Sequence, residues 1–243
     1  MATRSKKKAR RSRKSSPIWQ APLKRAMRYL FRGLLAVALI VLALIGLGSV
    51  LNPPTTPYML SESRRLGGVS QEWVGLSDVT PTMARAVVAA EDANFCQHWG
   101  FDLPAIKQAI ADGGNRGAST ISQQTVKNVY LWHGRNYTRK ALEALLTPVL
   151  EAVWSKERIV EVYLNVAEFD EGVFGVKAAA RHYFGVAPDQ LSDVQAARLA
   201  AILPDPKGRS ASRPSDFVRK RTRSILSGAA TIGKDGRSAC FES

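Results

Sequence analysis

The sequence predicts a mainly α-helical body behind one membrane-spanning helix. Three observations carry this. Residues Gly33–Leu51, GLLAVALIVLALIGLGSVL, hold no charge. Twelve of the 35 lysines and arginines fall within residues 1–32, which contain no acid, whereas the rest of the chain carries 23 basic and 20 acidic groups. Beyond the apolar run, helix caps followed by apolar residues at helical spacing recur, and no segment alternates convincingly with period two.

Residues 1–32 form a basic tail, too polar to bury a core. The run at 33–51 follows. Nineteen residues at 1.5 Å each span roughly 28 Å, close to the hydrocarbon thickness of a bilayer. A cleaved signal peptide has a shorter apolar core, about 7–15 residues. A buried soluble helix is a weaker reading, because no polar face breaks the run. An uncleaved transmembrane helix is therefore expected. Basic flanks stay on the cytoplasmic side, which puts the N-terminus inside and everything after about Asn52 outside. The tail then meets anionic headgroups. Nucleic acid is not an expected partner.

Residues 52–70, rich in proline and glycine, read as a linker. The body is expected over 71–230. Thr80 and Pro81 mark a cap and first turn, with the helix running to about Ala90. ADGGNRGA, residues 111–118, is a polar break. A helix should start near Ser119 or Thr120, where Thr120 and Gln123 have capping-box spacing. A long helical stretch from about Thr138 to Leu164 should kink at Pro148. EFDEGVFG reads as a turn, VKAAARHYF and SDVQAARLAAIL as helices, and PDPKGRSASRP as a loop. A basic helix, DFVRKRTRSIL, precedes a mobile C-terminus at 231–243. Cys96 and Cys240 would face an oxidising space, where a disulfide can form. They are far apart in sequence, in regions of unequal expected order, so two free thiols are favoured.

Four segments could carry chemistry. EDANFCQHWG, residues 91–100, puts Glu91 and Asp92 at the end of an apolar helix. The negative end of the helix dipole disfavours acids there by about 0.3–1 kcal/mol. Burial and a like charge would raise a carboxyl pKa towards the range of a general base. Taken alone, a solvated acidic pair explains it equally well. RGASTISQQTVKN, residues 116–128, sets Ser119, Gln123 and Lys127 in one row and Thr120, Gln124 and Asn128 in the next. Such a stripe of hydroxyls and amides suits a sugar, and Lys127 suits a phosphate. In RNYTRKALE, Arg139 and Lys140 precede Glu143 by about one turn. That is either a weak salt bridge or a cationic cluster for a diphosphate beside a second carboxylate. KERIVEVYLN, residues 156–165, reads as core packing.

In this order, the segments resemble the motifs of the peptidoglycan glycosyltransferases, glycosyltransferase family 51. EDANFCQHWG is similar to EDxxFxxHxG, GASTISQQTVKN to GxSTxxQQxxKN (with Ala118 where glycine is common), RKALE to RKxxE, and KERIVEVYLN to KxxIxExYLN. GVFGVKAAARHYFG resembles the motif that follows. The resemblance covers about residues 85–206. The single anchor and the length resemble the monofunctional members.

The resemblance implies a lysozyme-like, all-helical fold with a small lobe dipping into the membrane. It implies polymerisation of lipid II, a disaccharide-pentapeptide on polyprenyl diphosphate, at the bacterial inner membrane. Glu91 would be the general base, and Glu143 would assist the leaving group directly or through Mg²⁺ or Mn²⁺. No resident cofactor is implied. Lys127, Arg139 and Lys140 would receive the diphosphate. Asp92, Ser119, Thr120, Gln123, Gln124 and Asn128 match substrate-contacting or site-shaping positions. Phe95 and His98 would shape the loop, and Glu161, Tyr163 and Asn165 would hold the framework. Residues 111–118 match a mobile stretch between donor and acceptor sites. Lipid II, the growing glycan, the membrane and proteins of cell-wall synthesis or division are the implied partners. The rival readings are a lytic transglycosylase or lysozyme-like hydrolase and a non-catalytic scaffold. The cationic cluster argues against the first, and two acids kept in place argue against the second.

Overall fold

A computed structural model describes residues 20–113, 117–134 and 136–242. The tail up to Trp19 and the centre of the expected mobile stretch, residues 114–116, lie outside the described residues. The described residues fall into two compact units, divided between Leu44 and Ile45.

Helix α1, Gln20–Gly48, runs through the first unit and ends in the second. Its Lys24–Gly48 portion is long and apolar enough to cross a membrane. The helix starts well before the predicted Gly33, because lysine and arginine propagate a helix almost as well as leucine. Apolarity marks the stretch suited to lipid, whereas propensity marks the helix.

The second unit is built on helices. Thr56 accepts a bond from Met59 N (3.2 Å) and starts α2, Pro57–Leu66, inside the predicted linker. Helix α3, Pro81–Glu91, begins where Thr80 and Pro81 predict, although Thr80 makes no side-chain cap bond. Asp102 caps α4, Leu103–Ala111. The predicted Thr120–Gln123 capping box is present and starts α5, Ile121–Tyr130. Helix α6, Tyr137–Val153, continues through Pro148. The expected single stretch instead breaks at Trp154 and Ser155, where Ser155 caps a new helix, α7, Lys156–Val166. Trp154 Nε1 donates to Ile45 O (2.7 Å), and Arg158 donates to Gly48 O and Leu51 O, satisfying carbonyls at the end of α1.

The segment read as a turn is a hairpin of strands too short to show alternation. Strand β1 is Ser70–Gln71, β2 is Glu168–Asp170 and β3 is Val173–Phe174. Their order is β1-β3-β2, with β1 parallel and β2 antiparallel to β3. Gly175 follows at φ +82°, and a Cβ there would lie 2.8 Å from Asn165 O. Helices α8, Val176–Phe184, and α9, Asp193–Ile202, match their predicted positions, and Ser192 caps the second.

Helix α10, Asp216–Lys234, packs on α9 and α3, and α5 packs on α6 and α7. Met83, Ala86, Val87 and Val88 of α3 are fully buried, and α3 packs on both α10 and the alanine-rich α9. Small residues let the helices approach closely. Each large apolar side chain buried this way contributes on the order of 1.5–3 kcal/mol. A leucine at Ala86 would overpack the contact, at a cost of about 1–3 kcal/mol.

The C-terminus corrects two expectations. Cys96 and Cys240 form a disulfide, and the described residues hold no free cysteine. Residues 235–242, expected to be mobile, are docked. Phe241 is buried beside Phe95, Arg85 pairs with both oxygens of Glu242 (2.6 and 2.8 Å), and Arg237 Nη1 donates to Ala93 O (3.2 Å). An apolar anchor, a bidentate ion pair and a covalent bond together offset the entropy of ordering a short segment.

Candidate active site

Glu91 ends α3, and Asp92 is its C-cap. The acid that the end of α3 disfavours serves the start of α5. Asp92 Oδ2 accepts the backbone N–H of Ile121 (3.0 Å), where the dipole favours negative charge. Its other oxygen accepts His98 Nε2 (2.8 Å). Thr120 Oγ1 donates to Gly100 O (2.7 Å). Gly100 sits at φ +81°, and a Cβ there would fall 2.7 Å from Thr147 Cγ2. The glycine of the HWG triplet thus lets the loop close onto α6. Beneath it, Ser122 bonds Glu151, and Lys156 Nζ bridges Glu151 and His98 O (2.8 Å each), 4.2 Å above the Phe95 ring.

Glu91 is held differently. Gln124 Nε2 donates to Glu91 Oε2 (2.9 Å), and Tyr163 OH donates to Gln124 Oε1 (3.1 Å), which fixes the amide. Burial, and then the Glu91 charge, push the Tyr163 pKa well above its ordinary value, so the phenol remains a donor. Glu91 Oε1 has no hydrogen-bond partner among the described residues. A cleft of about 370 Å³ opens beside it, lined by Glu91, Asp92, Asn94, Asp102, Ser119 and Thr120, among others. A larger cavity, about 540 Å³, lies at the other end of α3 under the Arg85–Glu242 pair.

The cations gather at α5 and α6. Arg139 Nη1 and Lys140 Nζ reach the two oxygens of Glu143, at 2.8 and 2.5 Å, and Glu143 is buried. Lys140 Nζ also donates to Ser119 Oγ (3.1 Å), a residue of the cleft beside Glu91. Burial is the main cause lowering the Lys127 pKa, and Glu143, Arg139, Glu91 and Lys140 all act on it. Three cations around one carboxylate leave excess positive charge next to the cleft. His133 stacks on Tyr58 at 3.6 Å between ring centroids. Partial burial, and then Lys127, Arg139 and Lys207, push its pKa down to about 4.

The predicted site residues therefore converge, but in two layers. Glu91, Ser119, Gln124, Lys127, Arg139 and Lys140 are at least partly open. Asp92, Thr120, Gln123, Asn128 and Glu143 are buried, and the side chains of all but Asn128 are engaged in the bonds given above or in the cap of α5. Half of the polar stripe, Thr120, Gln123 and Asn128, is thus interior, and the other half, Ser119, Gln124 and Lys127, stays partly open. Asn165 clamps Val74 through its N–H and C=O (2.8 Å each).

Asp92, His98 and Asp102 come within 4.8 Å of one another, as metal ligands would. Their carboxylate oxygens already accept His98, Ile121 N, Ala105 N and Asn94 Nδ2. Burial acts to raise the Asp102 pKa, but the bonds from Ala105 N and Asn94 Nδ2, with the nearby His98, lower it on balance. The cluster is a brace. Glu143 presents both oxygens to cations, so a divalent ion would have to displace Arg139 or Lys140, and the donor set does not fit one.

Sequence reasoning missed Arg221, on α10. Its Nη2 lies 3.7 Å from Glu91 Oε1 and donates to Ala90 O (3.3 Å). It also missed the Ser122–Glu151–Lys156 network, the Tyr58–His133 stack and the disulfide. Only tertiary packing brings these groups together.

A family profile described as "Transglycosylase" matches residues 60–230. The chain belongs to the transglycosylase family. It is 54% identical over 235 residues to a biosynthetic peptidoglycan transglycosylase of Jannaschia sp. (strain CCS1), covering 97% of this chain and 98% of that protein. Proteins of the same name from Caulobacter vibrioides (41% over 225 residues, 89% and 98% covered) and Klebsiella oxytoca (45% over 223 residues, 86% and 91%) are also similar to it.

Proposed function

We propose that this chain, a peptidoglycan glycosyltransferase by family, polymerises lipid II outside the cytoplasmic membrane, with residues 1–32 inside. Glu91 Oε1 takes the proton from the 4-hydroxyl of the acceptor sugar. That oxygen attacks the anomeric carbon of the growing chain from the side opposite the diphosphate. The new C–O bond forms, the old one breaks with inversion, and the electron pair leaves with polyprenyl diphosphate. Lys127, Arg139 and Lys140 stabilise the charge that develops there. Buried Glu143 holds Arg139 and Lys140 in place, so little rearrangement is needed as the charge appears.

The observation that carries this reading is the link through Ser119. It lines the cleft beside Glu91 and bonds Lys140 of the cationic cluster. A cleft for cutting finished glycan has no use for that cluster. A body next to a membrane helix also meets a lipid-linked substrate at high effective concentration. Incubating the detergent-solubilised protein with lipid II tests the reading. Polymer with release of polyprenyl diphosphate supports it. Degradation of finished glycan without polymerisation overturns it.

A further inference from the structure

The titratable and polar groups around Glu91 come from several elements: Asp92 follows α3, Gln124 and Lys127 lie on α5, Tyr163 on α7 and Arg221 on α10. Gln124 and Tyr163 are neutral and account for Oε2. The remaining oxygen, Oε1, is buried and lacks a hydrogen bond, and so is Arg221 Nε. The Arg221 guanidinium stands 3.7 Å from Oε1, with side-chain exposures of 31% and 12% for arginine and glutamate. Its Nη2 is also tied to Ala90 O, the backbone one residue before the acid. Two incompletely bonded charged groups, facing each other in a shielded place, are arranged to act on a third party.

We infer that Arg221 is a positioning residue for the reaction. It aims Glu91 Oε1 at the cleft, leaving that oxygen's hydrogen-bonding capacity for the acceptor hydroxyl. A closer, bidentate arginine would occupy the oxygen, and no arginine would let the carboxylate turn onto Gln124. The docked segment after α10 supports this role. Arg237 holds Ala93 O and Cys240 holds Cys96, so the segment after α10 is fastened to the loop after Glu91, while Arg221 itself holds Ala90 O just before the acid.

The inference rests on the reading of Glu91 as base. The test is lipid II polymerisation by the full chain in detergent, giving kcat and KM for Arg221→Ala, Arg221→Lys and Glu91→Gln, each with a melting temperature. Arg221→Ala should lower kcat about tenfold or more while KM stays within about twofold. Arg221→Lys should recover most of the loss, and added guanidinium should restore Arg221→Ala but not Glu91→Gln. If Arg221→Ala fails to fold, Arg221→Lys and Arg221→Gln carry the comparison, and equal kcat in the two overturns the inference. A wild-type kcat in Arg221→Ala overturns it too, as does a loss that neither lysine nor guanidinium repairs. Should Glu91→Gln remain active while Arg221→Ala does not, the base assignment fails and Arg221 acts on another group.

Discussion

Glu91 and Glu143 are both helical carboxylates, both shielded from water and both beside cations. Their oxygens are used in opposite ways. Glu143 has a cation on each oxygen, at 2.5 and 2.8 Å. Glu91 has a neutral amide on one oxygen and only a guanidinium at 3.7 Å near the other. A carboxylate with both oxygens in ion pairs works as an anchor. One with an open oxygen can accept a proton. The contrast teaches that the role of an acid is read from what its oxygens lack as much as from what they touch.

The largest effect should come from Glu91. Glu91→Gln keeps the shape and removes the base, so kcat for lipid II polymerisation should fall about 10²–10⁴-fold with little change in melting temperature. Equal loss of stability would make Glu91 an anchor as well and break the comparison. Glu143→Ala should behave conversely. It leaves two cations without their buried partner, at a cost of about 3 kcal/mol of stability, readable by denaturant titration. Its activity should fall through kcat as well as KM, because the charge that develops on the diphosphate loses prepositioned cations.

An effect of similar size on stability, but smaller on activity, is expected at the loop after Glu91. Replacing both Cys96 and Cys240 by serine should cost about 2–4 kcal/mol in unfolding, and a reductant should lower the melting temperature of the parent but not of the variant. The smallest effect concerns His133. The unfolded side chain binds its proton near 6.5 and the folded one at about 4. Between those values the unfolded state holds more protons, so stability falls as pH drops. His133→Gln should therefore lose less melting temperature between about pH 7 and pH 4.5 than the parent.

Local chemistry was legible in the sequence. Thr120–Gln123 announced its helix because a cap acts over three residues, and the Thr80–Pro81 start announced its own through the proline's fixed φ. The residues expected to form the site were legible as types and order; the structure puts Glu91, Asp92, Ser119 and Thr120 on one cleft and ties Lys140 to it through Ser119. What was not legible depends on distant partners. Strands of two or three residues carry no periodicity. Cys240 gave no sign of meeting Cys96, 144 residues earlier, because composition around a cysteine does not reveal which loop it packs on. Arg221 looked like any basic residue of a solvated helix. Asp92 looked misplaced at the end of α3 because its partner, the first N–H of α5, lies 29 residues on.

The cystine has a practical corollary. Chain produced in a thiol-rich cytosol would carry the correct sequence and yet lack the clasp behind its acid, so two batches of one purified protein could differ in turnover. The cellular space in which the enzyme matures becomes a variable of its biochemistry, to be controlled like temperature or salt.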